Sequence, residues 1–405
     1  MTCSVRQNCF SPRDCGREKL KIAHVISGLS PENGGLSIAA LETARWQNLL
    51  GHDCTILTGD DRRLTYSSDL LSDFLQAGGS LIKFRTFGPQ KIRYMPQLRH
   101  YLESNGREFD LYVLHGSYQY PAYAAARFCQ IGGIPYIFTP HGSLDPAVRT
   151  KHHFRNRIID FTYHDDVIRN ANALHFTSED ERAACERKIW RDSFVEPLGI
   201  DIERIPKGGE SGRFRAKYGI PNDATLLLFL SRITRKKGID ILLESFKRLA
   251  ADLPGVYLAL CGPIDGDMSG LVDAALREPS IARRLVATGL ILGEDKHAAF
   301  LDCDFFVLPT YSENFGIAVF EALAYGAPVV TTTGMNWHEE LSNCGRALIV
   351  EPNADTLYDG LFRAISRNWQ PTATAEDARS WLARNFSWEL RAANLLHHYE
   401  QAMRS

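Results

Sequence analysis

The stretch Ser312-Glu313-Asn314-Phe315-Gly316-Ile317-Ala318-Val319-Phe320-Glu321 sets two carboxylates around one backbone junction. The apolar run 304–309 reads as a strand, and 316–325 reads as a helix entered through a polar turn. Such a junction aims backbone N–H groups and a positive helix end at whatever lies in front of it, which suits an anion. Glu313 falls in the turn and Glu321 inside the helix, so both reach one molecule from different elements. Carboxylates accept hydrogen bonds from hydroxyls. The pattern therefore fits a polyhydroxyl group beside phosphates, as in a nucleotide sugar; a plain turn with two solvated glutamates fits the same residues.

Three further stretches carry compatible chemistry. A strand over 225–233 runs into Ser231-Arg232-Ile233-Thr234-Arg235-Lys236-Lys237-Gly238, delivering Arg232 and Lys237 to pair with a diphosphate or, alternatively, to sit in a solvated turn. Gly34-Gly35 precedes a helix over 36–50, where bare backbone approaches a phosphate closely or simply forms a loop. His141 follows a strand over 136–139, in Pro140-His141-Gly142-Ser143-Leu144-Asp145-Pro146. Ligands of open α/β sheets gather at strand carboxyl ends, so His141 either serves chemistry there or only satisfies a loop carbonyl. Asp265-Gly266-Asp267 matches a short metal-holding pattern but lies in a Gly/Pro-rich loop, and turn chemistry accounts for it. Neither a Gly-x-x-x-x-Gly-Lys-Ser/Thr loop nor a Gly-x-Ser-x-Gly elbow is present, which removes the usual support for an ATPase or serine hydrolase.

The elements that must position these groups alternate in two series. Strand-like runs at 20–27, 53–57, 81–84, 111–115, 136–139 and 173–177 precede a linker at 197–212. A second series follows at 225–233, 256–261, 285–291, 305–308, 329–333 and 348–350, with helices at 268–276, 295–301, 354–366 and 387–403. That alternation predicts an α/β chain with two Rossmann-like doubly wound domains facing a central cleft. The expected division is a flexible tail at 1–19, a first domain at 20–200, a second at 201–385 and a final helix at 386–405.

A chain of 405 residues suits two cores. Its 44% hydrophobic content, 23% charged content and net charge of -2 describe a globular protein with no overall pull toward nucleic acid. Residues 1–200 carry 24 Lys and Arg against 22 Asp and Glu, too small an excess to define a partner. The 9 cysteines form no CxxC pair, so reduced thiols are expected, and Cys3, Cys9 and Cys15 lack zinc-type spacing. No secretory segment and no membrane-length apolar run is visible, which implies a cytoplasmic protein whose membrane contact is peripheral. Basic and aromatic residues at 83–107 and 151–157 suit an anionic membrane surface or a phosphorylated acceptor, or else form solvated helix faces.

Together these positions resemble the retaining GT-B glycosyltransferases of glycosyltransferase family 4 over residues 20–400. Glu313 to Glu321 is similar to the family's E-x7-E signature, and Gly326-Ala327-Pro328-Val329-Val330 to its G-x-P-V-V strand. Arg232 with Lys237-Gly238 fits R-x4-K-G, and Thr139-Pro140-His141-Gly142, Thr177-Ser178-Glu179 and residues 334–341 look like further landmarks. The resemblance implies that Gly34, Gly35, Arg232 and Lys237 hold the donor diphosphate. It implies that Glu313, Asn314, Phe315 and Gly316 hold the donor sugar, Glu321 the ribose, and Thr288, Gly289 and Leu290 the base side. His141 is implied beneath the sugar, and the final helix is expected to cross back to the first domain. Ser231, Leu198 and Met335-Asn336-Trp337 depart from the family pattern, at the arginine turn, the crossover and the sugar or acceptor side of the cleft.

The resulting expectation is a metal-independent, cofactor-free retaining hexosyltransferase. Its donor would be a UDP-sugar first and GDP-mannose second, and its acceptor a saccharide, lipid-linked, in surface polysaccharide biosynthesis. Two rivals stand beside it: a nucleotide-sugar epimerase of similar fold, and a non-catalytic nucleotide-sugar-binding module.

Overall fold

Runs of aliphatic and β-branched residues build two parallel sheets in the computed structural model, which describes residues 19–30, 34–60, 68–89, 92–144, 165–185, 192–206 and 211–404. Cys3, Cys9, Cys15, Pro31-Glu32-Asn33, Asp145-Pro146 and the basic stretch 151–157 lie outside the described residues. The first sheet holds β1 (Lys21–Ile26), β2 (Asp53–Asp60), β3 (Ser80–Arg85), β4 (Leu111–His115), β5 (Tyr136–Thr139), β6 (Ala173–Phe176) and β7 (Ser193–Val195). Their order is β3-β2-β1-β4-β5-β6-β7. The second holds β8 (Thr225–Leu230), β9 (Val256–Cys261), β10 (Leu285–Gly289), β11 (Phe305–Leu308), β12 (Val329–Thr332) and β13 (Ala347–Val350), ordered β10-β9-β8-β11-β12-β13. β4 and β5 are buried along their whole length, as expected of strands covered by helices on both faces. The architecture is α/β, with two doubly wound domains.

In each sheet the order reverses between neighbours, at β1/β4 in the first and at β8/β11 in the second. Ligand sites of open α/β sheets open at the carboxyl ends of strands at such a switch point. β1 and β8 lead toward Gly34 and Arg232, while β11 leads into the Glu313 turn.

The chain crosses between the domains twice, and the two crossings pair. Ile200 N–H donates to Phe386 O at 2.7 Å, and Gly199 lies so close beneath Trp388 that an added Cβ would stand 2.5 Å from it. The last helix, Trp388–Arg404, then packs on the first domain, with Leu395, Leu396 and Tyr399 joining Ile22, Ile26 and Ala40 in one apolar cluster. Arg379 clamps the hinge, donating to Ala324 O (2.6 Å), Ile202 O (3.0 Å) and Ile205 O (3.1 Å).

Several element limits differ from expectation. The strand expected over 225–233 stops at Leu230, because the chain turns there toward the 3-10 turn Arg235–Lys237; only Ile233 bridges onward, to Ile264. The strand expected to reach residue 291 ends at Gly289, whose φ of 71° breaks the register. The helix Ala375–Phe386 was not expected, although Thr374 and Asp377 form a capping box whose spacing is visible in the sequence. β7 was also not expected; its three residues are too short for a periodic signal.

Candidate functional site

β8 ends before a cationic turn that is pressed against the exit of β11. Gly238 makes this possible: its φ is 70°, and a Cβ there would lie 1.8 Å from Pro309 O. Tyr311 N–H (2.9 Å) and Thr310 Oγ1 (3.0 Å) both donate to Lys236 O, tying the two turns together. The Glu313 turn is fixed from behind, Glu313 N–H donating to Gly334 O at 2.8 Å and Asn336 N–H to Glu313 O at 2.9 Å. Lys237 Nζ and Glu313 Oε2 meet as an ion pair, each side chain only 12% exposed. Burial, reinforced by Lys236 and Arg232, pushes the Lys237 ammonium down to about 7, against which the Glu313 contact works.

Gly316, with φ of 73°, precedes the helix Ile317–Ala324 without a side-chain cap. Val319 N–H donates to Gly316 O at 2.8 Å, and the N–H groups of Ile317 and Ala318 stand ahead of it at the uncapped start of the helix. Glu321, one turn further in, accepts from Lys296 Nζ at 2.6 Å.

The first domain meets this surface at small residues. A Cβ on Gly34 would stand 3.7 Å from Arg232 Nε, one on Gly35 3.7 Å from Ile317, and one on Gly142 3.0 Å from Asn314 Nδ2. Asn336 Nδ2 spans the gap, donating to Ser178 Oγ at 2.8 Å. His141 has a φ of 50°, an uncommon conformation for a residue with a side chain. The buried Glu181 carboxylate supports that turn by accepting from Gly142 N–H (2.5 Å), Thr177 N–H (2.7 Å) and Thr177 Oγ1 (2.9 Å). Burial, with His175 nearby, lowers the His141 imidazole to about 3 and keeps it neutral.

A cavity of about 330 Å³ opens between the domains. Gly34, Gly35 and His141 line it from one side, and Arg232, Lys237, Glu313, Asn314, Phe315, Gly316 and Glu321 from the other. Of the three residues expected at the base side, Leu290 lines the cavity and Thr288 and Gly289 do not; Thr288 Oγ1 donates instead to Gly289 O at 2.8 Å. Asp265 stands at the N-cap position of the helix Gly266–Arg277 without a capping side-chain bond. Among the described residues no group of three or more His, Cys, Asp or Glu is placed to hold a metal ion. Sequence reasoning overlooked Glu181, Lys296 and His115. Ser178-x-x-Glu181 is a helix-start spacing that marks Glu181, whereas Lys296 and His115 gain meaning only from partners distant in the chain. No described helix is long and apolar enough to cross a membrane.

Residues 34–199 match the family model described as Glycosyl transferase 4-like domain, and residues 210–381 match Glycosyl transferases group 1. The chain is 26% identical over 300 residues to TuaC of Bacillus subtilis, named as a glycosyltransferase of teichuronic acid biosynthesis, covering 73% of this chain and 72% of that protein. It is 29% identical over 265 residues to a D-inositol 3-phosphate glycosyltransferase of Streptomyces coelicolor, a match that spans 60% of this chain and 54% of that relative. Among solved structures, HepE of Anabaena in complex with UDP and glucose superposes with a TM-score of 0.76 over 94% of this chain and 100% of its own, at 17% identity. Since the two family models account for both halves on either side of the cleft, and the fold agrees over nearly the whole length, the chain belongs to the GT-B glycosyltransferases of the family 4 type.

Proposed function

We propose that the protein is a retaining, metal-independent hexosyltransferase, moving a sugar from a nucleotide diphosphate to a hydroxyl of a lipid-linked saccharide in surface polysaccharide synthesis. The observation that carries the reading is the convergence, on one cavity, of Arg232 and Lys237, an uncapped helix start at Gly316, and the carboxylates Glu313 and Glu321. In this reading Arg232, Lys237 and the backbone at Gly34 and Gly35 face the diphosphate. Glu313 to Gly316 hold the sugar, and Glu321 accepts from the ribose hydroxyls. The leaving diphosphate gains charge as the glycosidic bond breaks, and fixed cations with helix-end N–H groups stabilise that charge more in the transition state than before it. Cationic side chains thereby take the part that a divalent metal plays elsewhere. Same-face attack assisted by the departing phosphate gives retention without a covalent nucleophile.

A UDP-sugar is the first choice of donor, supported by the complexes of HepE with UDP and with UDP-glucose, and GDP-mannose is the second. Exposed Phe87, Ile92 and Tyr94, with Arg85 over the Phe87 ring at 4.9 Å, support peripheral contact of the first domain with an anionic membrane. Calorimetric titration with UDP, GDP and ADP, with EDTA and again with magnesium, tests the reading. Binding of one nucleotide in EDTA is expected; binding of none under either condition refutes it, and binding only with magnesium refutes metal independence.

A further inference from the structure

Behind His141 the first domain holds a column of imidazoles to which the transfer scheme above gives no part. His141 Nε2 lies 3.0 Å from His115 Nδ1, His115 Nε2 lies 3.0 Å from His24 Nδ1, and His24 Nε2 lies 2.8 Å from Gln47 Oε1. Successive ring centroids lie 5.3 Å apart with planes tilted by 18° and 22°, so the rings meet edge to edge through these nitrogens. β1 supplies His24, β4 supplies His115 as its last residue, and the helix Gly35–Leu49 supplies Gln47. His24, His115 and Gln47 are all buried. Burial lowers His24 to about 4 and His115 well below the ordinary histidine value, so these rings, like His141, are neutral near pH 7.

A neutral imidazole offers one donor and one acceptor. Three contacts in series are then all satisfied only when every ring has the same polarity. Gln47 sets that polarity through its amide orientation, with Oε1 toward His24 and Nε2 buried and without a hydrogen-bond partner among the described residues. Its Oε1 also accepts from the Cys54 thiol at 3.4 Å, which burial keeps protonated. An acceptor at that end makes His24 Nε2 an N–H, then His115 Nε2, then His141 Nε2. The Nδ1 of His141 is left as a lone pair on a side chain that lines the cleft.

We propose that His115, His24 and Gln47 are positioning residues that lock His141 in its Nε2–H tautomer, so that it offers the donor sugar an acceptor nitrogen instead of an N–H. The inference rests on the transferase reading above. As the diphosphate departs, the anomeric carbon becomes electron-poor; a lone pair nearby stabilises it or orients a hydroxyl, and an N–H would oppose it.

Long-range proton–nitrogen correlation on full-length protein labelled with 15N-histidine reads the tautomers directly, with signals assigned through His141→Gln and His115→Asn. Nε2–H is expected for all three rings, and an Nδ1–H or mixed signal from His141 overturns the lock. Gln47→Leu, remote from the cleft, should mix the His141 tautomers and lower kcat about tenfold, the equivalent of one transition-state hydrogen bond. KM for the donor should stay within about twofold, since the change acts on the transition state more than on ground-state binding. Gln47→Glu keeps an acceptor and should restore both tautomer and kcat. Equal kcat losses in the two variants, or a loss with the tautomer unchanged, would mark a merely structural role and refute the proposal. A wild-type rate in His141→Gln overturns it while leaving the transferase reading intact, because that reading fails on the nucleotide titration instead.

Discussion

Binding of UDP should weaken as pH rises above neutrality, and Lys237 is the reason. Its ammonium is 12% exposed and is held at about 7 by burial and by Lys236 and Arg232. A diphosphate against that ammonium adds counter-charge to that of Glu313, returning it toward the ordinary lysine value of about 10.4. The protonated form binds, so each pH unit above 7 removes proton from the free protein before any leaves the complex. Between pH 7 and pH 9 the free lysine goes from about half charged to about one-hundredth charged, which weakens binding by about fiftyfold, or ~2.3 kcal/mol. The second phosphate ionisation, near 6, is about nine-tenths complete at pH 7, so what remains of it over this window is too small to mask the effect. Calorimetry at pH 8 in two buffers of different ionisation heat should show uptake of about 0.9 proton per UDP. Lys237→Arg keeps its charge throughout and should bind with a flat pH profile. A wild-type affinity that changes less than threefold from pH 7 to 9, or an equal slope in Lys237→Arg, would refute the argument.

Other residues give independent checks. Glu321→Ala should weaken free UDP as well as UDP-sugar, because it removes ribose contacts and releases Lys296; unchanged nucleotide affinity rules out the assignment. Glu181→Ala strands the N–H groups of Gly142 and Thr177 in the interior and should cost about 3 kcal/mol in denaturant unfolding; a loss under about 1 kcal/mol contradicts the support given to the His141 turn. Glu42 is raised by burial to about 7 despite Arg204 and Arg45, so the folded state holds a proton the unfolded chain has already lost. Stability should therefore fall as pH rises from about 4.5 to 7, by about 3 kcal/mol at most, and Glu42→Gln should flatten that profile. Arg85→Glu with Phe87→Ser should abolish salt-sensitive binding to anionic vesicles; retention by that variant, or indifference of the wild type at low salt, removes the proposed membrane contact.

The sequence showed the fold well wherever a strand is buried along its length, since aliphatic runs such as Leu111–His115 have no other stable home. It showed the second-domain half of the cavity for a local reason: Arg232, Lys237, Glu313 and Glu321 sit on turns and a helix start that short patterns describe. What stayed hidden depends on contacts across long separations. Lys296 meets Glu321 across 25 positions, Asn336 meets Ser178 across 158, and the histidine column joins residues 24, 115 and 141. Leu290 lines the cavity where Thr288 and Gly289 do not, because the positive φ at Gly289 ends β10 just before it.

The two junctions between the domains are built of different materials, and this bears on how the cleft works. At the hinge, paired backbone, the three-acceptor Arg379 clamp and the Glu196–Arg391 ion pair at 2.8 Å fix one crossing against the other. At the cleft, approach among the described residues rests on glycines at positions 34, 35 and 142 and on a bond from Asn336 to Ser178. Glycine adds no side-chain contact to hold the surfaces together, while it permits them to come within a van der Waals distance. Separation at the cleft is therefore energetically mild and separation at the hinge is not. In the reading proposed above, an anionic ligand bridging Gly34 and Arg232 would add to the attraction across the cleft and favour approach of the two domains through its own charge.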